Sequence, residues 1–453
     1  MWREARTWRE SRVRHPGVVV VGWFLAVIAI GALLLRLPIS QAGTEQTASM
    51  SDSLFTAASA VTVTGLSVTD TGTAWSPFGE FVLLVLIQIG GLGIMTLAGF
   101  IGITLNRRLG LRGGLLASTE IGVSDLGELR TLIGSLVRFV FGAELVVAIL
   151  LTGRFLAEGQ NSVLHSVHLG LFHAVSAFNN AGFSIIDGGL EGYVGDWFVN
   201  LVLAGAFILG GLGFPVVFEV ARKRRDTAHW SLHTRVTLGV TAALLVLGTL
   251  MIGVSEWTNP ATFGPLDTDE RLLASFFQSA TARTAGFNTV PFGELRNATW
   301  LTLIPLMVIG AGSASTGGGI KVSTVAVVIK ATLAEIRDDA RMVLDERHVS
   351  RELQRQALAL VVAALGTIGI STFLLTLTHT SLPLAEVLFE AVSAFGTVGL
   401  STGITGEFGE LGRILLIVLM FMGRVGPITF GTAVLFRPHP RRFEYPEEDL
   451  LVG

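Results

Sequence analysis

Four short segments of the chain share a pattern of residue types that could hold a cation. In each, Phe comes first, small residues fill the middle and Gly comes last: FTAASAVTVTG (Phe55–Gly65), FHAVSAFNNAG (Phe172–Gly182), FFQSATARTAG (Phe276–Gly286) and FEAVSAFGTVG (Phe389–Gly399). The closing glycines lie 117, 104 and 113 residues apart, and a near-constant period indicates a repeated structural unit. Glycine allows backbone conformations that a Cβ forbids, and carbonyls freed at such a break can replace the water around a cation. The pattern therefore predicts four loops around one cation pore.

The composition predicts that these segments lie in a membrane. Of the 453 residues, 50% are hydrophobic and only 15% are charged, whereas a soluble protein has about 25% charged residues. Glycine is frequent, with 54 residues, which lets apolar helices approach closely. The net charge of −3 argues against a nucleic-acid partner, and the absence of Cys excludes disulfides and thiolate catalysis. No acid, base and nucleophile converge in the sequence, so an enzyme is not predicted.

Uncharged stretches long enough to cross a bilayer, about 20 residues each, occur at six places. They are Pro16–Leu35, Phe81–Leu105, Trp197–Phe218, Val236–Ser255, Ala298–Ile320 and Ala357–Thr378. Two further stretches, Thr131–Gly153 and Ile414–Phe436, are interrupted by charged residues. We therefore predict an all-α integral membrane protein with eight spans.

The basic residues predict the orientation of these spans. Five segments, at 1–15, 106–130, 221–235, 330–355 and 437–453, hold 23 of the 32 Lys and Arg residues, and all five fall on one side if eight spans alternate. Because Lys and Arg favour the cytoplasmic side, both termini are predicted to be cytoplasmic, in a multi-pass protein of the cell membrane. Anionic lipid headgroups would suit the same basic residues. The 330–355 segment, which is mixed in charge, is expected to extend as a solvated helix.

Each loop segment lies between two spans, so the predicted unit is span, re-entrant loop and span, repeated four times with pseudo-symmetry. The predicted bounds are 16–106, 131–225, 231–340 and 352–437, with cytoplasmic ends at 1–15 and 438–453. A short helix would lead into each loop, and non-helical backbone would return through the Gly, where it must line water or be buried in protein. The competing interpretation, small-residue packing between helices, explains one such segment better than four in register.

Glycine clusters also recur on the span that follows each loop. They begin 24 to 28 residues beyond the loop glycine, at Gly90, Gly210, Gly310 and Gly423. In the third unit the cluster has five glycines in ten residues, and each Gly costs a helix interior about 1 kcal/mol relative to Ala. We predict a flexible gating loop at 310–320, below the filter; a packing kink is the alternative. Its candidate gating residues are Gly310, Gly312, Ser313, Ser315, Thr316, Gly317, Gly318 and Gly319.

A few charged residues interrupt the apolar spans, and Arg424 is the strongest functional candidate among them. A charge at mid-span is costly and commonly faces a cavity or a partner. We expect Arg424 to face the pore, to contact the Gly-rich loop and to repel cations when the pore is closed. Lys321, at the end of its span, is expected to snorkel to the interface. Arg283 is interpreted as structural, held by an acidic neighbour; Arg138 and Glu144 receive no function, and His173 is interpreted as structural.

Two stretches, TARTAGFNT (Thr281–Thr289) and SAFGTVGLSTGIT (Ser393–Thr405), resemble the third and fourth pore loops of the Trk/Ktr/HKT superfamily of K⁺ transporters. Over essentially its whole length the chain is most similar to the KtrB-type subunit. TrkH-type proteins carry two extra N-terminal spans, whereas here Pro16–Leu35 leads directly into the first loop. The resemblance implies four pseudo-symmetric units around one K⁺ pathway, in a homodimer with one pore per subunit.

By this resemblance, backbone carbonyls of three residues per loop would form a K⁺ filter: Val63, Thr64, Gly65; Asn180, Ala181, Gly182; Thr284, Ala285, Gly286; and Thr397, Val398, Gly399. Each loop keeps one Gly where K⁺ channels have Thr-Val-Gly-Tyr-Gly, so discrimination between K⁺ and Na⁺ does not follow from the number of carbonyls. K⁺ would be the transported ion, with Na⁺ as a second candidate, and no covalent cofactor is expected. The resemblance also implies a KtrA-type (RCK) nucleotide-binding ring as the cytoplasmic regulatory partner.

A solute-coupled or cation-coupled secondary transporter is the competing function. Such transporters also contain internal repeats and broken helices near the middle of the membrane. They commonly have two inverted repeats and bind their substrate with charged or polar side chains, whereas this sequence indicates four parallel repeats with few charges in the spans. The sequence therefore favours a pore.

Overall fold

The computed structural model describes residues 16–43, 48–93, 126–159, 162–224, 226–338, 342–345 and 347–426. The predicted cytoplasmic ends at 1–15 and 438–453 lie outside the described residues, as does most of the basic loop at 106–130. The last part of the first predicted unit, 94–106, and that of the fourth, 427–437, lie outside them as well.

The described chain is mostly helical. Its main helices are α1 (Pro16–Leu35), α2 (Met50–Thr62), α3 (Pro77–Gly93), α4 (Leu126–Ala157), α5 (Val163–Phe178), α6 (Trp197–Leu212), α7 (Phe214–Lys223), α8 (Leu232–Glu256), α9 (Thr268–Thr281), α10 (Asn297–Val308), α11 (Val322–Ile336), α12 (Arg351–Thr378), α13 (Leu384–Gly396) and α14 (Glu410–Val425). Single helical turns lie at Pro38–Ser40, Thr71–Ala74, Glu191–Tyr193, Thr227–His229, Phe292–Glu294 and Ile404–Glu407.

Long apolar helices form the outside of the molecule. By length and composition α4, α8 and α12 can each cross a membrane, and the bent pair α6 and α7 is a further candidate. Only 22%, 28% and 22% of the apolar windows of α4, α8 and α12 are buried, so most of their apolar side chains face outward, as lipid contact requires. Shorter apolar helices, α1, α3 and α10 among them, accompany them. The full set of eight spans and the bounds of the four units stay predictions.

Four short helices, α2, α5, α9 and α13, form the centre, and each leads into one of the Gly-closed loops. Their leading or neighbouring Phe side chains are almost completely buried: Phe55, Phe172, Phe277 and Phe389. Side chains fix where three of these helices begin, because Ser49, Ser162 and Asp267 cap the free amides of α2, α5 and α9. The capping boxes of Ser49 with Asp52 and of Asp267 with Glu270 add a reciprocal hydrogen bond.

Two large apolar clusters make most of the core of the described residues, and they connect α1 and α2 with α14. One cluster consists chiefly of residues from α1 to α9, and the other chiefly of residues from α8 to α14. Phe55 of α2 nevertheless belongs to the second cluster, while Phe421 of α14 belongs to the first. The Phe421 ring lies edge-on to Phe24 of α1, with 6.0 Å between centroids. The first and last parts of the chain therefore pack against each other.

Two breaks interrupt the helices that follow the second and third loops. The axis turns by 100° between α6 and α7 at Gly213, whose φ is +90°. Between Val308 and Val322 the chain is not helical, so α10 and α11 are separate helices. The expected helical extension at 330–355 is wrong in its middle: β1 (Val343–Leu344) and β2 (Arg347–His348) form an antiparallel hairpin. Burial of Leu344 and its neighbours against α8 and α11 stabilises that hairpin.

Candidate functional site

The four loops adopt the same backbone conformation where their short helices end. The residue two before the closing glycine has a positive φ in every loop: Val63 (56°), Asn180 (59°), Thr284 (69°) and Thr397 (49°). The closing glycines also have a positive φ: 92° at Gly65, 69° at Gly182, 80° at Gly286 and 92° at Gly399. A positive φ is uncommon in residues other than Gly, and for β-branched residues such as Val and Thr it is an outlier. Such strain at four equivalent positions is typical of functional sites.

The closing glycines contact one another in chain order and form a ring. A Cβ added to any of them would come within 3.0 Å of the next loop, closer than real Cβ atoms approach. The nearest atoms are the Ala181 oxygen for Gly65, the Gly286 Cα for Gly182, the Val398 oxygen for Gly286 and the Thr64 oxygen for Gly399. Because the fourth loop returns to the first, the structure brings all four predicted filter segments to one point.

Hydroxyl side chains within the short helices fix this backbone from behind. The Ser59 Oγ accepts a hydrogen bond from the Gly65 amide at 3.0 Å, and the Ser393 Oγ accepts one from the Gly399 amide at 3.2 Å. In the other two loops the hydroxyl donates to the carbonyl that follows the glycine: Ser176 to Phe183 at 2.8 Å and Thr281 to Phe287 at 2.7 Å. Sequence reasoning missed these four residues, although their recurrence at nearly the same place in each repeat was a usable signal.

The second set of recurring glycines lets the following helix approach the loop. A Cβ at Gly90, Gly210 or Gly423 would collide with a backbone oxygen at the end of the preceding short helix. The three oxygens belong to Val61, Phe178 and Phe395, each four residues before a closing glycine. These glycines therefore bring α3, α6 and α14 into direct contact with the loops.

On one side of the glycine ring lies an open cavity of about 210 Å³. The four closing glycines line it together with the polar residue two positions beyond each of them: Ser67, Ser184, Asn288 and Ser401. Asp70 contributes a carboxylate to the same cavity. Polar groups thus surround the approach to the ring from this side.

On the other side of the ring lies the Gly-rich segment between α10 and α11. Gly317 and Gly318 pack so closely on the hydroxyl groups of Thr284 and Thr397 that neither position has room for a Cβ. The Thr316 Oγ1 donates a hydrogen bond to the Asn180 Oδ1 at 2.9 Å. The segment therefore contacts the positive-φ residues of three of the four loops. The remaining predicted gating residues Gly310, Gly312, Ser313, Ser315 and Gly319 lie in the same non-helical stretch.

Two cationic side chains hold carbonyl oxygens of this segment. Arg424, only 6% exposed, donates from one guanidinium nitrogen to the Thr316 oxygen and from another to the Gly90 oxygen at 3.1 Å. The Lys321 Nζ donates to the Gly317 oxygen at 2.6 Å. The expectation that Lys321 snorkels to the interface is therefore wrong. Lys321 precedes the first turn of α11, from where its side chain turns back to the Gly-rich segment.

Arg283 and Glu144 contact neutral groups. Arg283 donates to the Thr241 hydroxyl at 3.3 Å and to the Gly310 oxygen at 3.4 Å. No carboxylate among the described residues forms an ion pair with Arg283. The prediction that an acidic neighbour holds Arg283 is therefore wrong for this part of the chain. Glu144 accepts a hydrogen bond from the side chain of Asn179 at 2.9 Å. Asn179 directly precedes Asn180, the positive-φ residue of the second loop.

Comparison with known proteins places this arrangement in a family. The family model TrkH, described as a cation transport protein, matches residues 1–445. The chain belongs to the TrkH family of cation transport proteins. It is 42% identical over 443 residues to the Ktr system potassium uptake protein B of Bacillus subtilis, covering 98% of this chain and 97% of that protein. This confirms the resemblance to the KtrB-type subunit drawn from two loop stretches.

Two further proteins are similar to the chain, one in sequence and one in fold. The potassium/sodium uptake protein NtpJ of Enterococcus hirae is 30% identical over 452 residues, which covers 98% of this chain and 99% of that protein. The crystal structure of the potassium transporter TrkH from Vibrio parahaemolyticus matches with a TM-score of 0.72 over 92% of this chain and 84% of that one. At 18% identity this last likeness shows that the fold is shared.

Proposed function

We propose that the chain takes up K⁺ across the cell membrane through a channel-like pore whose filter is the ring of four loops. The observation that carries the proposal is the close approach of the four closing glycines to one another in chain order, which brings the four loops together at one point. Relatives named as potassium uptake proteins match nearly the whole chain, and their names are the reason for proposing K⁺ as the transported ion. The repeat bounds 16–106, 131–225, 231–340 and 352–437 belong to this proposal.

The backbone of each loop suits a dehydrated cation. In every loop two residues with positive φ flank a middle residue whose φ is negative, and this alternation turns successive carbonyl oxygens to one side. Such oxygens replace the hydration shell of the ion. The short helices end at the ring, so the partial negative charges of their C-termini add to the attraction. Backbone oxygens thus bind the ion and no side-chain ligand is needed.

The Gly-rich segment acts as the gate of this pore. It lies against the positive-φ residues of the ring, and Arg424 and Lys321 place two positive charges beside it. In a low-dielectric surrounding, these charges oppose the entry of a cation. Opening then requires the segment to move away from Thr284 and Thr397. Five glycines in ten residues lower the free energy needed for this change, because glycine adopts many backbone conformations.

K⁺ uptake in a host that lacks its own K⁺ uptake systems tests the filter. Gly286→Ser places a side chain against the Val398 oxygen at a φ of +80° and should abolish uptake or lower the K⁺/Na⁺ preference at least about tenfold. Gly188→Ser is the matched control, since Gly188 also has a positive φ, +70°, but nothing lies within 4 Å of the added Cβ. If Gly286→Ser kept the ion preference of the wild type, the ring would not be the filter.

A cytoplasmic nucleotide-binding ring of the KtrA type completes the proposal as the regulatory partner. The B. subtilis relative carries the words "Ktr system" in its name, which fits a transporter of more than one component. Homodimerisation, cytoplasmic termini and use of Na⁺ as a second ion are parts of the same proposal, the last supported by the name of NtpJ. Purification of the chain with and without a KtrA-type protein, followed by nucleotide-dependent K⁺ flux into vesicles, tests the partner.

A further inference from the structure

The short helix and the returning strand of a loop are joined above the ring by a second set of contacts. Nine residues before the closing glycine stand Thr56, His173 and Glu390, and eight before it in the third loop stands Gln278. All four side chains are fully buried. In the second, third and fourth loops these side chains contact polar groups of the chain that follows the closing glycine.

Glu390 makes the strongest of these contacts. One carboxylate oxygen accepts hydrogen bonds from the Ser401 hydroxyl and from the Thr402 amide at 3.3 Å, and the other accepts from the Thr405 hydroxyl at 3.1 Å. A buried carboxylate is costly unless donors satisfy it, and here all three donors come from one segment of five residues. Displacement of residues 401–405 would leave the buried carboxylate without these hydrogen-bond donors, so Glu390 holds that segment in place.

His173 and Gln278 make equivalent contacts in the second and third loops. The His173 Nδ1 lies 2.8 Å from the Leu169 oxygen, an acceptor, so Nδ1 carries the proton and Nε2 accepts from the Ser184 hydroxyl at 2.9 Å. The Gln278 Nε2 donates to the Thr289 hydroxyl at 2.8 Å. Ser184 and Ser401 both line the cavity above the glycine ring.

The first loop lacks this contact. Among the described residues the Thr56 hydroxyl has no hydrogen-bond partner, and Ser67, the counterpart of Ser401, donates instead to the Thr69 oxygen next to it. We call a loop tied when the buried side chain eight or nine residues before its closing glycine forms a hydrogen bond with the chain that follows that glycine. By this definition the second, third and fourth loops are tied and the first loop is untied.

We propose that Glu390, His173 and Gln278 are positioning residues of the filter, which tie the chain leaving each filter glycine to the helix entering it and so hold the carbonyl ring at the size of K⁺. The inference rests on the proposed filter function. A ring held from the helix side alone can shrink around the smaller Na⁺, whereas contacts on the other side of three loops oppose that shrinkage. The ties therefore set ion preference, and Glu390, with three donors, contributes most.

The test measures the ratio of K⁺ to Na⁺ preference for the full-length chain. Two readouts are used: uptake in the K⁺-uptake-deficient host, and the K⁺ and Na⁺ concentrations that half-maximally stabilise the purified protein against heat, which needs no transport. Glu390→Gln and Ser401→Ala should each lower the ratio by about tenfold, as loss of a charge-assisted hydrogen bond predicts. Together they should lower it by less than the product of the two single effects, because the Ser401 contact is one of those that Glu390→Gln alters.

Two variants serve as controls. Ser401→Thr keeps the hydroxyl and should retain the wild-type ratio, while Thr56→Val alters the equivalent position of the untied loop and should also leave it unchanged. A normal ratio in both Glu390→Gln and Ser401→Ala, or an equal loss in Thr56→Val, would overturn the proposal. If Glu390→Gln does not reach the membrane, Ser401→Ala against Ser401→Thr decides. An unchanged K⁺/Na⁺ ratio in Gly286→Ser would instead contradict the proposed filter function, on which this inference rests.

Discussion

Arg424 and Lys321 act on neighbouring peptide units of one glycine-rich segment. They bind the carbonyl oxygens of Thr316 and Gly317; Arg424 lies on α14, whereas Lys321 directly precedes α11. Hydrogen bonds from charged donors are about twice as strong as neutral ones, so these two contacts are large compared with the weak intrinsic preference of a glycine-rich backbone. Both contacts favour the same arrangement of this segment, and if the segment is the proposed gate they should be lost together when it moves.

Removal of the Lys321 charge should increase basal K⁺ flux. Lys321→Met keeps the length of the side chain but deletes the hydrogen bond to Gly317, which is worth about 1.5 kcal/mol and so shifts the closed-to-open ratio by about tenfold. Flux into vesicles without a regulatory partner measures this. Lys330→Met, at an exposed position on α11, which Lys321 precedes, is the control and should behave as wild type.

Substitution of Arg424 should act in the same direction and more strongly. Arg424→Ala removes contacts to both Thr316 and Gly90, so uptake without the partner should rise by more than about tenfold. Arg424→Lys keeps the charge but not the planar two-nitrogen geometry and should give an intermediate flux. Uptake that stays equal or falls in Arg424→Ala, at normal protein abundance, would show that Arg424 does not hold the gate shut.

The sequence predicts the positions that recur and misses the partners that do not. The closing glycines and the Gly-rich segment at 310–320 stand out because the same residue types return at a regular period. The neutral partners of Arg283 and the inward turn of Lys321 do not stand out, since each depends on backbone atoms that only the folded chain brings near. The hydroxyl contacts of Glu390 depend in the same way on how far the chain has turned beyond Gly399.

Among the elements, α2 is held to α14 by an ion pair across nearly the whole sequence. The Arg413 guanidinium lies 2.7 Å from the Asp52 carboxylate, which also caps α2 through Ser49. Burial alone would raise the pKa of Asp52, but the hydrogen bonds from Ser49 and the charge of Arg413 outweigh it, so the pKa lies below its ordinary value. The ionised form of Asp52 therefore stabilises the junction of the first and fourth loops.

The lowered pKa of Asp52 predicts that the stability of the folded protein depends on pH. A carboxyl whose pKa is lowered by folding adds stability above its unfolded pKa of about 3.9, and this stability is lost as the pH falls through the folded value. Asp52→Asn should lower the melting temperature of the purified protein by about 2 °C at pH 7, and the difference should narrow below about pH 4. Asp187→Asn, at an exposed acid, should change the melting temperature at neither pH.

The breaks between elements were predictable only in part. The glycine content of 310–320 predicts non-helical backbone, because a helix interior tolerates so many glycines poorly. The 100° turn at Gly213 lies inside an uncharged run that continues to Phe218, so hydropathy alone favours one straight span. Gly213 packs against the Ser313 oxygen, a contact between the second and third units that the local sequence does not encode.

At the scale of the whole molecule, the ring requires all four loops at once. Each closing glycine contacts the next loop, and Phe421 and Phe55 join α14 and α2 to the two core clusters, so no single loop can form the site. The four loops are nevertheless not equal. The second loop has the lowest glycine φ, +69°, whereas Gly65 and Gly399 have +92°. Unequal geometry in one ring should give unequal tolerance to substitution.

Alanine scanning of the ring should reveal this order. Gly182→Ala should retain the most K⁺/Na⁺ preference, because residues other than Gly can adopt a φ near +69° and the nearest atom to the added Cβ is 2.8 Å away. Gly65→Ala and Gly399→Ala should retain the least, since a φ of +92° lies beyond the left-handed region open to Ala and each Cβ meets a carbonyl oxygen of the ring. Gly286→Ala should fall between them. Competition of Na⁺ with K⁺ uptake, at matched protein abundance, measures the order, and an equal effect at all four positions would mean that the ring relaxes as one body.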